Sequence, residues 1–382
     1  MIFQRKMNSI PKPIPYVIIL LVLWAMVQTL IFHLYGIKSA VDTTFYLEDA
    51  ALIRQGIWPT GRGLMYISYS MLLAVIQVIG LSVSWIILIQ IAASLFATIA
   101  IFRLATDLYK NKYAGVFAVV FYLLWIKIHQ WNFILYTDSL FASLTIISLT
   151  LFYFSKKRRD YIVASIVLLF AIFIRPNGVG LIIAMGGFLM VKFYFDEKRV
   201  LKNSFLGISV VLIAIVINHL FEAHIDSFLD SYAKAEVIYP GRQLFLSPPH
   251  DLVIPNGDSP ALLQLAAFII YNPVYFGKLF LLKALLFLAN VKPYFSWVHN
   301  FIIIVVLYPI YYLAVLGYRR LNDRAVKTFV SLFIGLQIGI VGLTSENWDG
   351  RFLIPLLPLI FVLAAGELSV IAKKVFHGSN ER

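Results

Sequence analysis

The sequence predicts an all-α, polytopic membrane protein. Its mean hydropathy is +0.85, and only 13% of its 382 residues are charged, whereas soluble domains carry about 25% charged residues. Apolar stretches near the twenty or so residues needed to cross about 30 Å of hydrocarbon recur along the whole chain. The chain has no cysteine, which excludes disulfides, thiolate metal sites and thiol nucleophiles.

The first apolar stretch, about Ile14 to Leu34, is long enough to span a membrane and has no small-residue cleavage site after it. A short helix from Thr43 to Gln55 is expected next, and Gly56 is expected to end it. Three carboxylates lie close together at this boundary: Asp42, Glu48 and Asp49. The whole chain has only 19 Asp and Glu. Such a cluster beside a membrane indicates a functional loop.

Residues 64–81 allow two interpretations. As a full span they would place Arg103 and Lys110 outside the membrane. As an outer-surface or re-entrant helix they keep the basic loops inside as far as the C-terminus, which is the positive-inside pattern. We adopt the second interpretation, so residues 35–83 are expected to form a first outer loop with interfacial helices.

Later apolar stretches complete the predicted topology. Nine further spans are expected at residues 84–104, 113–125, 139–154, 161–174, 179–195, 204–221, 301–316, 329–343 and 352–372. Residues 222–297 are expected to form a large outer loop. Within it, residues 271–290 should lie at the interface, because Lys278 and Lys283 would each cost about 2.5–3.5 kcal/mol at mid-bilayer. The prediction is one domain, residues 1–382, with ten spans, two interfacial helices on the outer face and both ends inside.

The net charge of +13 follows from this topology. Most of the 32 Lys and Arg fall in loops assigned to the inner side. The basicity therefore indicates membrane orientation, and no nucleic-acid partner is expected.

The outer loops contain the residues expected to carry chemistry. They are Asp42, Glu48, Asp49, Asp138, Arg175, Lys278, Lys283, Glu346, Asp349 and Arg351. A carboxylate at an apolar boundary can accept a proton from a hydroxyl, and arginines and lysines can hold a phosphate. A base beside a cationic clamp suits attack by a hydroxyl on a carbon bonded to a lipid phosphate.

Short motifs follow one another along the chain. They are Asp42 with Tyr46-Leu47 and Gly56, Gly80-Leu-Ser with Arg103-Leu-Ala, Thr137-Asp138-Ser-Leu-Phe141, Arg175-Pro-Asn-Gly178 and Arg351-Phe-Leu-Ile-Pro-Leu-Leu-Pro358. Their order resembles the GT-C superfamily of membrane glycosyltransferases, especially protein O-mannosyltransferases and lipid A aminoarabinose transferases. The resemblance covers residues 14 to about 370.

The resemblance implies a polyprenyl-phosphate-linked sugar donor, a catalytic Asp42 and interfacial helices in the first outer loop. The chain departs from the family in three ways. Asp138 has no acidic neighbour, Gly61-Arg-Gly63 replaces a proline, and no large C-terminal domain is expected after the last span. No metal ligands are assigned, and a divalent cation stays open as a cofactor.

Each candidate residue also has a structural explanation. Asp42 and Asp138 could cap the helices that follow them. Arg175 and Arg351 could be anchors at the membrane interface. The others could be surface charges or contacts to lipid headgroups: Glu48, Asp49, Lys278 and Lys283.

The sequence thus predicts a glycosyltransferase that moves a hexosyl or pentosyl group, with inversion, from a polyprenyl-phosphate donor. The acceptor is a hydroxyl of a glycan, lipid or protein at the outer face of a bacterial inner membrane. Asp42 is the expected base, with Arg351, Arg175 and a lysine from residues 271–290 on the phosphate. Two rivals stay open: a transporter or lipid-glycan flippase without catalytic activity, and a glycan-binding or polymerising membrane partner of another subunit.

Overall fold

The computed structural model describes residues 14–193, 225, 228–238, 243–255, 259–344 and 349–377. All regular secondary structure in these residues is helical, which confirms the predicted all-α class. The N-terminal half contains α1 (Ile14–Tyr35), α2 (Val41–Arg54), α3 (Ile67–Val78), α4 (Ile86–Tyr109), α5 (Lys112–Leu124), α6 (Ile126–Gln130), α7 (Asp138–Phe154), α8 (Arg158–Ile172) and α9 (Gly178–Phe193). The C-terminal half contains α10 (Ala261–Tyr271), α11 (Pro273–Ala289), α12 (Trp297–Arg320), α13 (Arg324–Leu343) and α14 (Leu357–His377).

Within the described residues, four helical stretches are long and apolar enough to cross a membrane. They are Tyr16–Tyr35, Val83–Tyr109, Trp297–Arg320 and Arg324–Leu343. The number rises to six if the bent pairs α5–α6 and α10–α11 each count as one span. Helices α7, α8 and α9 have 17, 15 and 16 residues, fewer than the roughly twenty that the hydrocarbon core requires. These helices indicate a membrane protein, while the predicted count of ten spans is not confirmed.

The predicted first outer loop, residues 35–83, contains two packed helices, α2 and α3. Gly56 has φ +79°, a left-handed conformation that ends α2 where the sequence predicted. The stretch 64–81 folds as a 3-10 turn over Gly61–Tyr66 followed by α3. The 12 residues of α3 extend only about 18 Å, so their length favours the surface interpretation over a full span.

Helix α14 lies in the interior of the bundle. Residues 357–365 are buried on every side, because α14 packs against α4, α5 and α12. Two glycines permit this close approach: Gly317 of α12 lies against the carbonyl of Leu363, and Gly366 lies against the ring of Tyr109. The last helix is thereby joined to the first part of the chain.

A second apolar cluster combines residues 225–238 with α10 and α11. These two helices meet at an angle of 105° on either side of Asn272. The Asn272 amide bonds the N–H and the carbonyl of Val253 at 3.1 and 2.7 Å. Helix α11 corresponds to the predicted interfacial helix 271–290, whereas the predicted span 204–221 lies outside the described residues.

Candidate functional site

Asp42 is the second residue of α2. The N-cap of this helix is Ala40, whose N–H donates to Oγ1 of Thr43 at 2.9 Å. The alternative that Asp42 caps the helix is therefore wrong. Its side chain is 20% exposed, so the carboxylate can be reached by a substrate.

Three side chains surround the Asp42 carboxylate. Arg62 lies 3.4 Å from Oδ1, and Nη1 of Arg351 lies 3.5 Å from Oδ2. The hydroxyl of Tyr136 donates a hydrogen bond to Oδ2. These contacts bring together residues from three distant parts of the chain around one accessible carboxylate.

Aromatic rings hold both guanidinium groups. Arg351 lies over the rings of Tyr136 and Phe352, at 5.0 and 5.6 Å from the ring centroids. Arg62 lies over the rings of Phe45 and Tyr66, at 4.8 and 5.7 Å. Such cation–π contacts stabilise a planar guanidinium without using its N–H donors. Nε of Arg351 has no hydrogen-bond partner among the described residues.

Backbone hydrogen bonds join the loops that carry Asp42 and Tyr136. The N–H of Lys38 donates to the carbonyl of Phe133, and the N–H of Leu135 donates to the carbonyl of Lys38, both at 2.9 Å. The loop before α2 and the loop before α7 therefore pair directly, and this pairing places the tyrosine beside the carboxylate.

A second carboxylate–arginine pair lies in the interior. Asp138 is fully buried and forms an ion pair with Arg175, which is 3% exposed. Asp138 is the first residue of α7, and the N-cap is Thr137, so the alternative that Asp138 caps the helix is wrong. Because Arg175 is enclosed by protein, the alternative of an anchor at the membrane interface is wrong for this residue as well.

The carboxylates of both pairs affect the pKa of Arg351. Burial alone would lower the pKa of Arg351, but the negative charges of Asp138 and Asp42 raise it above its ordinary value. Burial also raises the pKa of Tyr136, which further keeps that hydroxyl protonated and able to donate. The site therefore holds a protonated donor and a permanent cation beside Asp42.

The other predicted site residues lie apart from this carboxylate or outside the described chain. Glu48 and Lys278 are exposed, and Asp49 is 7% exposed, with its carboxylate next to Gly63. Lys283 is fully buried, and its ammonium donates to Oγ of Ser231 at 3.0 Å and to the carbonyl of Thr344. A phosphate or headgroup contact would require Lys283 to leave these partners. Predicted Glu346 lies outside the described residues.

Several contacts were not predicted from the sequence. Tyr136 directly precedes the Thr137-Asp138 motif, and Arg62 lies in the Gly-Arg-Gly segment that was noted only as a departure from the family. Lys127 pairs with Asp349 at 2.7 Å. For Tyr136 and Arg62, the available signal was a polar residue next to or within a segment already singled out.

The described residues contain no group of three His, Asp or Glu side chains placed to hold a metal ion. The positive charge beside Asp42 comes from arginine instead. A divalent cation as cofactor therefore finds no ready ligand set in this part of the chain.

No protein-family model matches the chain, and no curated protein matches it.

Proposed function

We propose that this chain is a membrane glycosyltransferase that moves a sugar from a polyprenyl-phosphate donor to an acceptor hydroxyl. The observation that carries the proposal is the accessible Asp42 carboxylate with guanidinium groups at 3.4 and 3.5 Å on its two oxygens. A proton acceptor and two phosphate-binding groups are thus within one small site, as transfer from a lipid phosphate requires.

In this mechanism the acceptor oxygen attacks the anomeric carbon of the sugar. Asp42 takes the hydroxyl proton as the new carbon–oxygen bond forms. The bond from that carbon to the phosphate oxygen breaks, and the polyprenyl phosphate leaves with the electron pair. Attack opposite the leaving group inverts the anomeric configuration.

Arg351 and Arg62 stabilise the charge that develops on the departing phosphate. Their contacts to Asp42 are long, at 3.5 and 3.4 Å. A phosphate can therefore compete for both guanidinium groups at low cost. Binding of the donor would also free the carboxylate to accept a proton.

We place this site on the outer face of a bacterial inner membrane, with ten spans and both chain ends inside. Because the chain lacks cysteine, single cysteines can be labelled without background. Thr60→Cys should react with an impermeant maleimide from outside, whereas Lys110→Cys and Arg158→Cys should react only after permeabilisation. Labelling of position 110 from outside would overturn the topology.

The test of the function is sugar transfer from a polyprenyl-phosphate donor by purified protein. Asp42→Asn removes the proton-accepting charge with little change of size, and should lower transfer by about 10²- to 10⁴-fold while donor binding persists. Asp42→Glu should recover little, because its carboxylate is displaced by a methylene. Glu48→Gln, an exposed neighbour on the same helix, is the matched control. Full activity in Asp42→Asn would refute the base assignment.

One observation favours the alternative of a transporter or flippase. Lys283 is fully enclosed within a helical part of the protein, and enclosed charges in membrane proteins often mark transport pathways. Reconstituted protein would then move a labelled polyprenyl-phosphate sugar between leaflets without consuming it. Asp42→Asn would leave this movement intact.

A further inference from the structure

Between α5 and α7 the chain contains only short helical pieces joined by bends. It bends by 64° after Leu124, continues through α6 and forms a 3-10 turn at Trp131–Phe133 before it reaches Tyr136. Backbone groups that are not paired within a helix need other partners inside a membrane protein, because water is scarce there. Those partners determine where Tyr136 is held.

A single side chain of α4 holds three carbonyls of this segment. Nε2 of the fully buried Gln90 lies 3.3, 2.9 and 2.9 Å from the carbonyl oxygens of Trp131, Asn132 and Ile134. Its Oε1 accepts a hydrogen bond from the hydroxyl of Tyr69 at 2.9 Å. Because carbonyl oxygens only accept, these partners fix the orientation of the amide.

A second set of side chains holds the other side of the segment. Nδ2 of Asn132 donates to Oε1 of Gln28 at 2.9 Å, so Nε2 of Gln28 donates to Nδ1 of His129 at 2.9 Å. Nε2 of His129 consequently carries the proton and donates to the carbonyl of Tyr122 at 2.9 Å, near the end of α5. His129 therefore serves as a neutral link between α1 and α5.

We propose that Gln90 is a positioning residue for sugar transfer and acts through Tyr136. This inference rests on the proposed function. Ile134, whose carbonyl Gln90 binds, lies two residues before Tyr136, and Tyr136 donates to the Asp42 carboxylate. Loss of the amide leaves three carbonyls without this donor and releases the segment. A shift of about 1 Å at a reacting group can cost about 10²-fold in rate.

The kinetic test compares two variants with a control on the same helix. Gln90→Leu should lower kcat by about 10²-fold. Tyr69→Phe removes only the hydrogen bond to Oε1 of Gln90 and should lower kcat by about tenfold. The donor KM should change less than kcat, because Arg351 keeps its contact with the ring of Phe352 when Tyr136 shifts. Thr98→Val is the control, because among the described residues its buried hydroxyl bonds only the carbonyl of Ser94 in its own helix.

A double variant separates positioning from general damage to the fold. If Gln90 acts through Tyr136, Gln90→Leu combined with Tyr136→Phe should be no slower than the slower single variant. If the rate losses of the two single variants multiply in the double variant, the proposal is overturned. Where Gln90→Leu fails to fold, Tyr69→Phe takes its place in the same cycle.

A second readout does not depend on turnover. Ile134→Cys introduces the only thiol of the chain, at a partly exposed position of the held segment. Adding Gln90→Leu should increase its maleimide labelling rate by about tenfold, because the segment opens more often. Suppose that the wild type transfers sugar and that Gln90→Leu leaves both kcat and the labelling rate unchanged. This result would overturn only the positioning role. A wild type without transfer activity would overturn the proposed function itself.

Discussion

The two carboxylate–arginine pairs of the site use the same chemistry but differ in access. Asp42 is 20% exposed and lies 3.5 Å from Arg351, whereas the Asp138 side chain is fully buried and that of Arg175 is 4% exposed. A partly hydrated pair can exchange partners at small cost. Separation of a buried pair leaves an uncompensated charge in protein. The first pair therefore suits substrate binding, and the second suits the fixing of structure.

The second pair also supports the first. Arg175, in the turn between α8 and α9, lies 5.1 Å from the ring centroid of Phe352, and that ring is shared with Arg351. Asp138 lies at the start of α7. The buried pair thus connects α7, the α8–α9 turn and the residues before α14 behind the accessible carboxylate.

The largest contrast is expected in stability. Asp138→Asn leaves the buried Arg175 without its counter-charge and should lower the free energy of unfolding by about 3–5 kcal/mol. Asp42→Asn should change it by less than about 1 kcal/mol, because its ion pairs are partly exposed. Unfolding of the purified variants in detergent measures both values. Equal losses would show that the two pairs contribute equally to the stability of the fold.

The next contrast lies between the two arginines at Asp42. Arg351 is 14% exposed, so Arg351→Lys, which removes the planar fork, should weaken donor binding or turnover by about 1.5–3 kcal/mol. The side chain of Arg62 is 51% exposed, and Arg62→Lys should cost at most about 1 kcal/mol. Donor kinetics of both variants provide the measurement. Wild-type kinetics in Arg351→Lys would reduce that residue to an interface anchor.

A smaller effect is expected at the Lys127–Asp349 pair. Its side chains are 29% and 19% exposed, so Lys127→Met should cost about 0.2–1 kcal/mol of stability. The loss should shrink at high salt, because exposed charges are screened. Lys110→Met, which breaks the more exposed Lys110–Asp107 pair, is the control and should cost less. A salt-independent loss at Lys127 would contradict an electrostatic origin.

The smallest effect concerns Asp49. Its burial and the nearby charge of Glu48 raise its pKa in the folded protein. A raised folded-state pKa contributes stability below the unfolded pKa of about 4, and this contribution is lost as pH rises through the folded pKa. Asp49→Asn should therefore raise Tm at pH 7 by on the order of one or two degrees. The gain should vanish near pH 4. Glu48→Gln, which removes only the second of the two causes, should show the same trend with a smaller gain.

The sequence allowed the local features to be predicted. Helix α2 and its end at Gly56 follow from nearby residues, because caps and left-handed glycines act within one turn. The apolar stretches predicted membrane spans at α1, α4, α12 and α13, and these four helices are long and apolar enough to cross a membrane. The length of an apolar stretch is also a local property that the sequence shows directly.

The sequence did not reveal contacts that depend on distant segments. Lys283 was expected at a phosphate or headgroup, but Ser231 and the carbonyl of Thr344 enclose its ammonium. The hydrogen bond from Tyr136 to Asp42 requires the Lys38 loop to pair with the segment before α7. Periodicity carries no information about such pairings, so only the folded structure shows them.

The late position of Arg351 in the chain has a consequence for biosynthesis. Asp42, Arg62 and Tyr136 leave the ribosome early, and chains generally fold from the N-terminus during synthesis. Arg351 lies directly before α14, so it is synthesised after all of the preceding helices. An unfinished chain would thus hold the proposed base, Asp42, without Arg351, one of the two arginines proposed to bind the phosphate. Chains that terminate before residue 351 would therefore be inactive toward a lipid donor, even when their first helices are correctly inserted.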